Sequence, residues 1–233
     1  MKQFVVIGLG SFGYSVTEDL SEFGAEIIIL DKDRTLIEKL KDKVHAAYIV
    51  DVSDEENIKK LIPSKVDAAI LDLGSSLEVS ILVTNYLKNM GIKNIIAKSD
   101  SDKQGEILKM VGATKIIYPD REAARQITPL LVSDTLYKFM PISSGLVLAE
   151  IFVPKKYVGK TLIESNIRFT DNINIVAIKK GEEYTFFVPD YRLEEDDILL
   201  AVGSEDTIIK FTSVSYSKNQ KTLSSFLQKM FGN

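Results

Sequence analysis

The chain has 233 residues, 45% hydrophobic and 27% charged, a globular composition with room for one large or two modest domains. A net charge of −4 without a basic stripe excludes the sequence-independent phosphate attraction on which nucleic-acid binders depend. The absence of cysteine excludes disulfides, thiol catalysis and cysteine metal sites, and a single histidine, His45, leaves little for catalytic zinc or a hydrolase triad.

Through the first half, strand-like and helix-like segments alternate with short connections, the pattern of a parallel sheet covered by helices. Residues 4–9 form a short apolar run, followed after the glycines by a helix in which Val16 and Leu20 recur at helical spacing. Residues 25–30 read as a second strand, 34–42 as a helix and 46–50 as a third strand, whose start is the plain reading of His45. The second half-unit follows, with helices at 54–61, 76–90 and 102–112 and strands at 68–73, 94–97 and 115–118. In the longest helix, Val79, Leu82, Val83, Tyr86, Leu87 and Met90 share one apolar face, which is core. Gly91 and Gly112 fall where helix C-termini need a positive φ.

Residues 120–140 read as helical, with Pro129 predicting a kink or two shorter helices. Beyond Pro141 the texture changes to extended runs at 146–153, 173–179, 184–188 and 198–202, with a short helix near 161–165. The expected architecture is α/β: a Rossmann-type doubly wound parallel sheet over residues 1–120, a crossover helical segment over 121–141, and a smaller α+β domain over 142–212. The tail, 213–233, carries Leu223, Phe226, Leu227, Met230 and Phe231 on one face of a possible amphipathic helix, suited to packing on the protein or a sister subunit. No apolar stretch approaches the roughly 20 residues that cross a bilayer, and no signal-peptide pattern opens the chain, so a cytoplasmic location is the simplest expectation.

The chemistry concentrates in Gly8-Leu9-Gly10-Ser11-Phe12-Gly13, a G-x-G-x-x-G between a predicted strand and a predicted helix. That setting favours a phosphate loop over a merely close-packed turn. Gly8 permits the tight turn, Gly10 the close approach of a phosphate, and Gly13 the packing of helix on strand. The helix N-terminus, with unpaired N–H groups and about half a positive charge, faces the anion. Asp31 ends the second strand about 20 residues further on, where a carboxylate accepts ribose hydroxyls and repels the extra phosphate of NADP.

Ligands of open α/β sheets lie outside the carboxyl ends of the strands, which puts Asp51 and Gly74-Ser75 on the rim, with Lys32 and Val52 beside Asp31 and Asp51. Asp51 also reads as a helix N-cap, with Ser53 and Asp54 as rivals. Lys98, ending the fifth strand, reads either as a phosphate contact or as a solvated lysine.

These residues resemble the cytoplasmic regulatory subunits of Ktr/Trk potassium-uptake systems, which combine an RCK N-terminal and an RCK C-terminal domain. The resemblance covers residues 1–212 and rests on VIGLGSFG (6–13), Asp31, IVDVSDEENI (49–58), LKMVGATKIIYPDREAA (108–124), GKTLIESNI (159–167) and INIVAIKKG (173–181). The run at 108–124 carries most weight, because its glycine-alanine, strand, proline and acidic series is unusual among Rossmann dehydrogenases. The resemblance implies a ring, typically octameric, beneath a dimeric membrane subunit that conducts potassium. Binding of ATP, ADP or NAD(H) changes the ring's shape and so gates transport. By position it implies a phosphate loop of Gly8, Gly10, Ser11, Phe12 and Gly13, a ribose ligand Asp31, an adenine-side contact Asp51 and a phosphate-side contact Lys98. A divalent cation shared between subunits maps to Asp120, and a cyclic di-AMP pocket to parts of 163–175. Two positions depart from the pattern: Ser11 stands where many members have arginine, and a hydroxyl does not replace a bidentate guanidinium on a terminal phosphate. Asp120 stands where glutamate is usual. The alternatives are an NAD-dependent oxidoreductase with a small second domain and a nucleotide-binding scaffold without a transporter. Against the first, no histidine, cysteine or Lys-Tyr pair is poised as acid or base.

Overall fold

The computed structural model describes residues 2–74, 76–186 and 190–213. Its contacts divide into two units, Met1–Arg121 and Glu122–Asn233. In the first, the elements run β1 (Gln3–Ile7), α1 (Ser11–Glu22), β2 (Glu26–Asp31), α2 (Arg34–Leu40), β3 (Ala46–Ile49), α3 (Glu55–Leu61), β4 (Ala68–Leu71), α4 (Leu77–Asn89), β5 (Ile95–Lys98), α5 (Asp102–Val111) and β6 (Lys115–Ile117). The strands form one parallel sheet in the order β3-β2-β1-β4-β5-β6.

Burial explains why the sheet is parallel. Val5, Val6 and Ile7 are wholly inaccessible and most residues of the runs EIIILD and AAIL are buried, so both faces must be covered. Alternation divides them between two cores. Val5, Ile7, Ile28, Leu30, Ala69 and Leu71 pack with Ile58, Val83, Leu87 and Leu108 of α3, α4 and α5. Val6, Ile27, Ile29 and Ile70 pack on the opposite face with Ile37 and Leu40 of α2 and with Phe12, Val16 and Leu20 of α1. This is the expected doubly wound fold, with elements displaced from the expected bounds by a residue or two. Gly91 and Gly112 take φ of 82° and 138° past the ends of α4 and α5, as their positions demand.

The second unit opens within α6 (Pro119–Leu131) and continues with β7 (Leu136–Ser143), β8 (Leu146–Phe152), α7 (Leu162–Ser165), α8 (Ile167–Thr170), β9 (Asn174–Lys180), β10 (Glu183–Phe186), β11 (Ile198–Gly203) and α9 (Glu205–Thr212). Its sheet has the order β10-β9-β11-β8-β7, antiparallel throughout. Val147, Ala149, Ile151, Leu199 and Ala201 point to a core completed by Ile208 and Phe211 of α9. The helical reading of 120–140 is corrected here: α6 stops at Leu131 and the chain re-enters as β7, a strand of this unit's sheet. Pro129 is accommodated in the last turn of a single helix, so neither a break nor a second helix follows from it. The short helices α8 and α9 were not expected from the sequence. Phe187 and Val188 of the third extended run and the tail from Val214 lie outside the described residues.

Thr161 closes the start of α7 reciprocally: its Oγ1 accepts from Glu164 N (3.1 Å), and Glu164 Oε2 accepts from Thr161 N (2.9 Å). Asn166, at φ 51°, turns α7 into α8. Thr161→Ala is expected to cost about 1 kcal/mol of stability in this unit. A lowered midpoint with unchanged slope in urea unfolding would show it, and an unchanged midpoint would refute it. Among the described residues no helix is long and apolar enough to cross a membrane.

Candidate functional site

The glycine loop joins the end of β1 to the start of α1 at the place where strand order reverses between β1 and β4. Each glycine has a different reason. Gly8, at φ 85°, donates its N–H to Leu30 O (2.8 Å), and a Cβ there would run into the backbone carbonyl of Asp72. A Cβ on Gly13 would strike the carbonyl oxygen of Gly8, which is the strand-to-helix packing expected of it. Gly10 is the N-cap of α1 with no side-chain cap, and a Cβ on it would meet the carboxylate of Asp72. The first-turn amides of Ser11 and Phe12 have no intrahelical acceptor and face the crevice end of the sheet. Gly13 N, by contrast, donates to Asp72 Oδ2 (3.0 Å).

Asp31 lies beside this loop. Its Oδ2 accepts from Leu9 N at 2.5 Å and its Oδ1 from Asp33 N at 2.8 Å. The carboxylate therefore fixes the backbone of the glycine turn while keeping lone pairs for hydroxyl donors. Lys32, next in the chain, is exposed. At the end of β3, Asp51 accepts from Ser53 N (3.0 Å) and Ser53 Oγ (2.8 Å). These two bonds, aided by the charge of Lys32 and opposed by slight burial, hold its carboxyl below the usual carboxylate range. The rival N-cap role for Asp51 is overturned, because Asp54 caps α3 through Glu56 N (2.9 Å). Val52 is buried beneath the rim, and Gly74 turns the chain after β4 at φ 62°. Ser75 lies outside the described residues.

The solvated reading of Lys98 does not hold. Its side chain is 17% exposed, with Nζ 3.5 Å from Asp72 Oδ1 and 3.7 Å from Asp100 Oδ1. Asp72 is the residue that sequence reasoning missed. Its side chain is 1% exposed, and it underlies the whole loop: it abuts Gly8, Gly10 and Gly13 and pairs with Lys98. The signal was present in the sequence, since Asp72 follows the apolar run AAIL as Asp31 follows the apolar run IIIL.

Loop, Asp31, Asp51, Asp72 and Lys98 thus gather at the carboxyl ends of the parallel strands, where open α/β sheets bind ligands. His45 lies at the other end, just before β3, with its N–H donated to Ile27 O (2.9 Å). Asp120 is exposed in the first turn of α6, and among the described residues no three His, Asp or Glu side chains gather as a metal site.

The second unit has a cavity of its own, about 300 Å3, lined by Ile163, Ile167, Arg168, Asn174, Ile175 and Thr185 among others. It is mostly apolar, with Ser165, Arg168, Asn174 and Thr185 as its polar residues, the character of a pocket for a small organic ligand.

Residues 4–119 match the TrkA-N domain family and residues 148–214 the TrkA-C domain family. The chain is 34% identical to the Ktr system potassium uptake protein C of Bacillus subtilis (strain 168), over 90% of this chain and 96% of that protein. It is 28% identical to the Ktr system potassium uptake protein A of Vibrio alginolyticus, over 89% of this chain and 94% of that relative. Among solved structures, the GsuK channel bound to NAD is similar with a TM-score of 0.63 at 16% identity, over 92% of this chain and 40% of that one. The chain spans well under half of the channel's length, and the likeness is one of fold.

Proposed function

From the premise that this chain belongs to the family of Ktr and Trk potassium-uptake proteins with TrkA-N and TrkA-C domains, we propose that it is the nucleotide-binding regulatory subunit of a potassium transporter. The observation that carries the reading is the convergence of free first-turn amides of α1 with the Asp31 carboxylate, across a glycine loop at the β1/β4 reversal. Amides at a helix N-terminus bind phosphate oxygens, and a strand-end carboxylate binds ribose hydroxyls, so the ligand is an adenine nucleotide: NAD(H), ADP or ATP. Lys98 lies beside the phosphates, Asp51 on the adenine side.

Gating requires that the ligand bind one state of an assembly better than another. The assembly is a ring of these chains, octameric in this reading, at the cytoplasmic face of the membrane, against a subunit that conducts potassium. Asp120 is the residue on this chain that would contribute to a cation site shared between subunits. The oxidoreductase alternative is disfavoured by geometry: the one imidazole sits at the amino ends of the strands, away from the rim where a cofactor would lie.

The test is thermal unfolding with NADH, ADP and ATP. Binding at 100 times Kd adds about 2.7 kcal/mol to the native state and raises the melting temperature. No shift with any of the three at millimolar concentration would overturn the nucleotide reading. Light scattering at or below a dimer would overturn the ring. Ion flux through the copurified transporter should differ between the nucleotide-loaded and nucleotide-free subunit.

A second reading concerns the cavity of the other unit. Apolar walls with Arg168 and Asn174 at one pocket suit a cyclic dinucleotide, whose bases seek apolar contact and whose phosphates seek a guanidinium. Cyclic di-AMP should therefore bind to the full chain and lose affinity in Arg168→Ala, measured by calorimetry.

A further inference from the structure

We infer that Asp72, paired with Lys98 beneath the glycine loop, determines which nucleotide the loop accepts, favouring dinucleotides over nucleoside triphosphates. The inference rests on the nucleotide-binding reading above and narrows its ligand class.

Asp72 is the first residue after β4, tied by its N–H to Ile7 O of β1 (2.9 Å), so its carboxylate forms the floor of the crevice where the strand order reverses. It enters the anion-binding end of α1 from below. Gly13 N, one of the first-turn amides that a phosphate would otherwise use, already donates to Asp72 Oδ2 (3.0 Å). A protein carboxylate therefore offsets part of the positive end of the helix before any ligand arrives.

The other oxygen, Oδ1, is buried without a hydrogen bond and faces Lys98 Nζ at 3.5 Å. Lys98 is the cation placed to meet a phosphate, yet it is counterbalanced by Asp72 and again by Asp100 at 3.7 Å. Ser11, at the helix start, adds no charge, and the carboxylates of Asp31 and Asp51 stand on the rim. A ligand phosphate here enters a cradle whose fixed charges lean acidic. Repulsion grows with each ionised phosphate oxygen and is screened poorly at a site this buried. The pyrophosphate bridge of a dinucleotide carries no terminal phosphate dianion, whereas a triphosphate brings one and needs a free cation to meet it. The amides of Ser11 and Phe12 suffice for the bridge.

Calorimetric titration of the full chain in magnesium-free buffer tests this. The wild type should bind NADH at least about tenfold more tightly than ATP. Asp72→Asn keeps an acceptor for Gly13 N while removing the charge and releasing Lys98. It should raise ATP affinity about tenfold and NADH affinity about threefold or less. Equal affinities in the wild type, or equal gains for both ligands in the variant, would overturn the inference while leaving nucleotide binding intact. Failure of both ligands to bind the wild type would instead remove the nucleotide reading and this inference with it. A measurement on the wild type guards against a variant that does not fold.

Discussion

Gly10→Val is expected to abolish the nucleotide-induced rise in melting temperature, a loss of about 2.7 kcal/mol of ligand stabilisation at 100 times Kd. Gly10 has ordinary backbone angles, φ −60° and ψ −177°, so a side chain there is not excluded by the backbone. The obstacle is the Asp72 carboxylate, which a Cβ would strike. The loop must rise or the carboxylate must yield, and either movement disturbs Gly13 N and the first-turn amides together. Overpacking of this kind costs about 1–3 kcal/mol, which the sheet can absorb without unfolding. The same change at Gly8 or Gly13 would be less informative, because there a Cβ meets backbone atoms and the fold itself is at risk. A Gly10→Val protein that melts cooperatively and still gains full stabilisation from nucleotide would refute the assignment of the loop.

Asp31→Ala should weaken nucleotide binding by about a hundredfold and also lower the stability of the ligand-free protein by about 1–3 kcal/mol, because it removes the acceptor of a partly buried backbone donor. The two effects have one origin. The Leu9 and Asp33 amides lose their acceptors, so the glycine turn loses its brace as the ribose loses its ligand. Asp31→Asn separates them. It retains an acceptor for one amide, and it removes the charge that repels a 2′-phosphate, so the preference for NADH over NADPH should narrow while much of the stability returns. Full NADH affinity in Asp31→Ala would show that this carboxylate serves the loop alone.

The first unit was legible because its signals agree: apolar runs too short and too continuous for helices, glycines at helix ends, and a G-x-G-x-x-G at a strand-to-helix turn. The strand β7 was not legible, for a physical reason. A bulge between Leu136 and Lys138 inserts Tyr137 into the ladder, so the two residues that reach the core, Leu136 and Phe139, stand three apart. That interval is a helical one, and with Pro129 upstream it imitated a broken helix. Asp72 escaped notice because its role is made by distant partners. Gly13, Gly10 and Lys98 come together over it only when β4 lies beside β1, and no local pattern records that adjacency. The competition between Asp51 and Asp54 for the cap of α3 was likewise undecidable from composition, since both are aspartates and only the turn geometry chooses between them.

The central position of β1 also has a bearing on biogenesis. Phe4 pairs with Ile27 on one side but with Ala68 on the other, and a ribosome adding about 5–20 residues per second needs roughly 3–13 s to produce the stretch between Phe4 and Ala68. For that interval the newborn strand has one open flank, and non-local parallel pairing is slow to close it. The cleft between β1 and β4 therefore comes into being only once β4 has been made, well after the loop that lines it has left the exit tunnel.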